Sequence, residues 1–218
     1  FNKEKYYLLK KNVTIISDTF ELSADLVKAY FDKDLYDIIK MDSKGNVSLK
    51  SNNNTRASGE KININIETEN IIIWGKNSLL ISDQIKMMSN EKIQVNNSTG
   101  AFNITGLDSK LQNNDILISG SLIDGQFSKL NNTNEFEKVY VEDREQINIK
   151  TTTLDMYALQ ADYDKQNDTI ELFDNVRILR DNDTIHGDYA KINIKNESYK
   201  VTSKKSERVK VLLDNKNE

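Results

Sequence analysis

Apolar residues fall on every second position along most of the chain. Ile62-Asn63-Ile64-Asn65-Ile66 is the clearest run, and the same alternation marks Val27, Ala29 and Phe31, then Leu159, Ala161 and Tyr163, then Ala190, Ile192 and Ile194. Successive side chains of a strand point to opposite faces, so each segment carries one apolar and one polar face. Helical spacing is weak throughout. The best helical window is 23–40, with apolar residues at 26, 27, 30 and 31. Val27, Ala29 and Phe31 fit a strand equally well, and the same block recurs elsewhere, so the window reads as strand.

The recurring block has an order. A small residue precedes a polar or acidic one, then alternating apolar positions, a polar turn, a second apolar pair, a turn with Gly or Asn, and a third short strand. Copies start at Ala24-Asp25, Gly59-Glu60 and Gly187-Asp188, and another runs through Leu159, Ala161 and Tyr163. Within the first, Gly45-Asn46 is read as a turn between strands; Asp174-Asn175 plays the same part later. Neighbouring copies lie about 30 to 35 residues apart, the period of stacked β units that cannot bury their apolar faces singly. At about 10 residues per strand and turn, roughly 18 to 20 strands are expected. The middle, about 83–138, is less regular, and 130–135 is the most loop-like tract. The reading is one continuous body over 1–218, with a two-part split near 130–138 as the alternative.

Composition narrows the function. The formal net charge is −4 and the basic residues are dispersed along the sequence, which speaks against a nucleic-acid partner. With no cysteine, disulfides and thiolate chemistry are excluded. With no proline, strand edges must be guarded by other means. No apolar run approaches the roughly 20 residues of a membrane-spanning helix. The chain opens on Phe1-Asn2-Lys3 without a methionine, and a mature or trimmed form is expected.

Catalytic groups are sparse. His186 is the one histidine and reads as a turn residue beside Gly187, which constrains triads and multi-histidine metal sites. Trp74, ahead of Gly75, is assigned to core or rim rather than to ligand stacking. Asp162-Tyr163-Asp164 and Asp181-Asn182-Asp183 lack the glycine and spacing of a calcium loop and read as solvated turns. There is no glycine-rich phosphate loop and no nucleophile elbow. The expectation is a protein that is not an enzyme and needs no cofactor or metal.

The order of motifs carries a resemblance. Ala158-Leu159-Gln160-Ala161-Asp162-Tyr163 leads into Thr169 to Val176 with its Asp174-Asn175-Val176, then Gly187-Asp188-Tyr189-Ala190, then the closing Arg208-Val209-Lys210-Val211-Leu212-Leu213. Upstream, Gly45-Asn46-Val47 is followed by Ala57-Ser58-Gly59-Glu60-Lys61. This resembles the LptA (OstA-like) periplasmic lipopolysaccharide-transport family, with LptC and the N-terminal domain of LptD as relatives. The resemblance covers both ends and leaves a longer middle. It implies an elongated, twisted β-jelly roll of stacked antiparallel strands in the periplasm. Such a protein carries lipopolysaccharide from inner to outer membrane, acyl chains inside and sugars in water. It also implies partners of the LptC and LptD type joined by edge-strand pairing, and head-to-tail copies of the chain itself. Position for position, lipid contacts are implied at Phe20, Leu22, Ile62, Ile64, Val139, Ala161 and Tyr163. Phe20 and Leu22 would lie at the N-terminal face, and Val209, Lys210 and Val211 would form the C-terminal partner edge.

Energetics shape that expectation. Each buried methylene is worth roughly 0.8 kcal/mol, so a sealed pocket for several acyl chains would never release them. An open groove with partial burial is therefore expected. The competing reading is a structural β-solenoid or adhesion-type module with a solid core and no lipid.

Overall fold

The computed structural model describes residues 5–33, 37–52, 54–130, 133–181, 183–196, 198–203 and 208–212. They form sixteen strands: β1 (Lys5–Ile16), β2 (Phe20–Phe31), β3 (Ile38–Ser51), β4 (Thr55–Asn65), β5 (Asn70–Trp74), β6 (Ser78–Ser82), β7 (Ile85–Ser89), β8 (Lys92–Asn96), β9 (Ala101–Gln112), β10 (Leu117–Leu130), β11 (Thr133–Lys150), β12 (Asp155–Asp164), β13 (Thr169–Arg180), β14 (Asp183–Asn193), β15 (Ser198–Thr202) and β16 (Lys210–Leu212). One antiparallel sheet holds them all, in the order β1-β2-β3-β4-β5-β8-β9-β10-β11-β12-β13-β14-β15. β6 and β7 link β4 to β9 by a second route, and β16 pairs with β14.

These branches show how the sheet folds over. β4 pairs with β5 through Lys61–Asn65 and with β6 through Thr55–Ser58. β9 pairs with β8 through Phe102–Thr105 and with β7 through Lys110–Gln112. β14 pairs with β15 through Tyr189–Asn193 and with β16 through Thr184–His186. Each long strand therefore turns a corner and serves two leaves, which gives the layered architecture of a jelly roll. β5, β8 and β15 lie in the first leaf, and β6, β7 and β16 in the second.

The corners are where the strand count changes. Ladder registers shift between Lys10 and Val13, between Lys44 and Val47, and between Phe173 and Val176. Left-handed residues sit there: Lys11 and Asn12, Gly45 and Asn46, Asp174 and Asn175. A bulge bends its strand, and Gly, Asn and Asp tolerate positive φ best. Gly45 has φ +79°, and a Cβ on it would run into the Asp25 carboxylate. Asn46 at φ 48° donates from Nδ2 to Asp25 Oδ2 at 3.0 Å. Gly45-Asn46 and Asp174-Asn175, expected as turns between separate strands, are corners inside continuous ones, and the described residues form sixteen strands where roughly 18 to 20 were expected. His186 likewise lies within β14, opposite Arg177 and Lys210, and not in a turn. β11 runs for 18 residues and takes up 133–135 of the tract that looked loop-like, while 131 and 132 lie outside the described residues.

The inner faces line up strand by strand. In the first leaf one cross-strand row reads Val27, Ser43, Ile62, Ile73, Ile93, Ile104, Ile123, Val141, Ala161, Leu172, Ala190 and Val201. In the second leaf the row is Leu22, Leu49, Ala57, Leu80, Met87, Leu111, Ile118, Ile149, Met156, Ile178, Ile185 and Val211. Alternation within each strand and register between strands thus combine into two continuous rows, apolar except at Ser43, whose buried hydroxyl has no hydrogen-bond partner among the described residues. The buried apolar residues of both leaves form one cluster from Val13 to Ile192.

Candidate functional site

The space between the leaves is the candidate site, and the corners decide its shape. They close one long side. The hairpin turns of the two leaves face each other along the other side, which is the mouth. Midway along it Asn134 of β11 reaches across from the first leaf. Its side-chain amide donates to Ser82 Oγ at 3.0 Å, and its backbone N–H donates to Asp83 Oδ2 at 3.3 Å. Ser82 Oγ also lies 3.1 Å from Thr55 Oγ1. Asn134 is buried, and its Oδ1 has no hydrogen-bond partner among the described residues. Phe136, two residues on, is wholly buried against Phe102.

Behind this clasp the leaves pack directly on each other. Ile71 and Val95 of the first leaf, with Leu80, Ile85 and Met87 of the second, surround a cavity of about 20 Å³. That volume holds no acyl chain. The rows are less well covered at their ends. Leu9, which pairs with Val27, is 38% exposed, and Val211 is 51% exposed.

The residues implied by resemblance all face this interior. Ile62 and Ala161 share one row of the first leaf. Ile64, Val139 and Tyr163 lie in the row beside it, with Val139 directly opposite Tyr163. Leu22 and Phe20 belong to the second leaf, where Leu22 is fully buried and Phe20 partly so. The seven do not converge on one spot: they run from β2 to β12. β1 lies outboard of β2, so Phe20 and Leu22 do not form the N-terminal edge; Tyr6, Leu8 and Leu9 of β1 are exposed there instead. At the other end Lys210 and Val211 belong to β16, while Val209 precedes it and is 38% exposed.

Tyr163 has an unusual setting. Burial, first of all, pushes its phenol up to about 12, and the carboxylates of Asp168, Glu135, Asp115 and Asp164 push the same way. The hydroxyl stays neutral, as a lining group among apolar neighbours must.

The sequence reading missed the clasp. Asn134 lies in the tract that looked most loop-like, and nothing local pairs it with Ser82, 52 residues away. The neighbouring wall residues Met41, Ile71, Ile73, Ile93 and Ile104 are all buried.

Two comparisons bear on identity, and a search of curated protein sequences finds no match. The solved structure of LptH from Pseudomonas aeruginosa, described as the LptA-homologous periplasmic component of the conserved lipopolysaccharide transport device, superposes with a TM-score of 0.51 at 11% identity. The match covers 61% of this chain and 96% of that one. At that identity the likeness shows a shared fold. The family described as "LptA/(LptD N-terminal domain) LPS transport protein" matches residues 77–198, from the start of β6 to the start of β15. β1 to β5 lie outside the match yet continue the same sheet and the same rows. On that match the chain belongs to the LptA/LptD N-terminal-domain family of lipopolysaccharide-transport proteins.

Proposed function

We propose that the chain binds lipopolysaccharide by its acyl chains between the two leaves and passes it on as a periplasmic bridge component. The observation that carries this is the pair of long walls, apolar except at Ser43 and less well covered at their ends. Acyl chains entering there replace wall-to-wall contact with wall-to-lipid contact. Much of the gain from removing lipid from water is then offset by the packing given up, so the grip stays partial. Among the described residues, β1 at one end and β15 and β16 at the other have no neighbour on their outer edges, which suits β-augmentation by LptC-like or LptD-like proteins or by a second copy. The role is transport without catalysis.

A photo-cross-linking residue at Tyr163 or Ile64 tests the interior, with Gln94 on the outer face of β8 as reference. Capture of lipopolysaccharide from the inner positions alone is expected; equal capture from Gln94 would overturn it. A second reading, a structural module with a solid core, draws support from the cavity of about 20 Å³. It predicts no capture from any of the three positions.

A further inference from the structure

The outer face of the first leaf carries a feature that the transport reading does not use. Where β2 to β5 approach the corner, a groove of about 510 Å³ opens among Leu26, Lys28, Lys44, Lys61, Asn63 and Trp74. Register builds it. Lys10 stands opposite Leu26, Leu26 opposite Lys44, Lys44 opposite Lys61, Lys61 opposite Trp74, and Trp74 opposite Lys92. Six adjacent strands thus place four lysines and the indole in one outer-face row, and of these lysines Lys44 and Lys61 line the groove itself.

Lys44 and Lys61 face each other directly, a like-charge opposition that costs stability in a sheet. Among the described residues neither has an ion-pair partner. The two carboxylates at the groove are turned to other work. Asp42 lies 3.7 Å from Lys40 and accepts from Asn63, while Glu60 accepts from the backbone N–H of Lys76. Lys28 stands over the Tyr6 ring, 5.0 Å from its centre. Lysines without a direct ion pair beside a partly exposed indole, in a concave site, match a ligand with both negative charge and a flat, weakly apolar ring face.

We infer that this groove binds a phosphorylated saccharide, with the sugar ring on Trp74 and its phosphate between Lys44 and Lys61. The site lies on β2 to β5, outside the part of the chain that the family match covers. It is independent of the interior: a ligand without acyl chains suffices.

Trp74 is the chain's one tryptophan, so intrinsic fluorescence reports on the groove directly. The probe is a bis-phosphorylated glucosamine disaccharide with its acyl chains removed, titrated into the full chain. A saturable change in Trp74 emission is expected, weakening as salt rises. In the Lys44→Gln/Lys61→Gln variant the affinity should fall about tenfold or more. That variant should melt no lower than the parent, because it removes an opposed pair of like charges. Three results would each overturn the proposal: no saturable change, an equal response from the dephosphorylated disaccharide, or an equal affinity for inorganic phosphate alone, which would mark an adventitious ion only. Cross-linking at Tyr163 reads the interior separately, so either idea can fail while the other stands.

Discussion

Asn134 on β11 donates its side-chain amide to Ser82 Oγ, 3.0 Å away, and so ties the tip of one leaf to the tip of the other. Paired cysteines at these positions, in a chain with none of its own, can be joined by a short thiosulfonate cross-linker. Bridging should abolish uptake of a fluorescent acyl-chain probe, and reductant should restore it. Undiminished uptake with the bridge in place would show that lipid bypasses the middle of the mouth.

The walls should be sensitive to lost volume. Ile104 lies fully buried at the centre of its row, between Ile93 and Ile123. Ile104→Ala is expected to cost about 2–5 kcal/mol, the usual range for such truncations. Urea denaturation checks this, and a cost below about 1 kcal/mol would mean the leaves close up around the gap.

Corner residues should tolerate glycine and reject β-branching. Asn175 has φ 54° at the bend of β13. Asn175→Gly should leave stability nearly unchanged, whereas Asn175→Val should lose about 1–2 kcal/mol, the cost of forcing a bulky side chain into the left-handed region. Equal melting temperatures for the two would show that the corner relaxes.

These cases show what was legible in the sequence. Alternation such as Ile62, Ile64 named the inward faces because the strand period is local. Gly45-Asn46 and Asp174-Asn175 were visible as left-handed sites, but a turn and a bulge ask for the same residues. Whether the chain reverses or merely bends there depends on which strand it pairs with next. Lys44, Lys61 and Trp74 looked dispersed because their row exists only across strands. Asn134 bonding to Ser82 depends on how the whole sheet folds over, the most remote information of all.

An acid-dependent contribution should come from Glu171. Lys191 Nζ, at 2.8 Å, and then the Tyr189 hydroxyl, at 2.7 Å, hold its carboxyl below the ordinary value of 4.5, while burial opposes them. A depressed folded pKa means the stabilisation is present above the unfolded value and is lost as pH falls through the folded one. Glu171→Gln should therefore cost more at neutral pH than at about pH 3, as followed by urea titration at both. Asp162, directly opposite Glu171, has the reverse sign: burial and then the Glu171 charge raise it. Asp162→Asn should gain stability at neutral pH, and a loss there would show that its charge is usefully partnered.

The inner rows have a consequence for motion. Thirteen strands lie along the sheet path, and twelve steps of about 4.8 Å make each wall about 58 Å long. At most steps the wall offers another Ile, Val or Leu, with Ser43 the one polar residue in the rows. An apolar ligand shifted by one strand exchanges its contacts for near-identical ones, so the surface beneath it has little corrugation. If acyl chains lie against the walls as proposed, such a surface would confine them sideways and let them slide lengthwise.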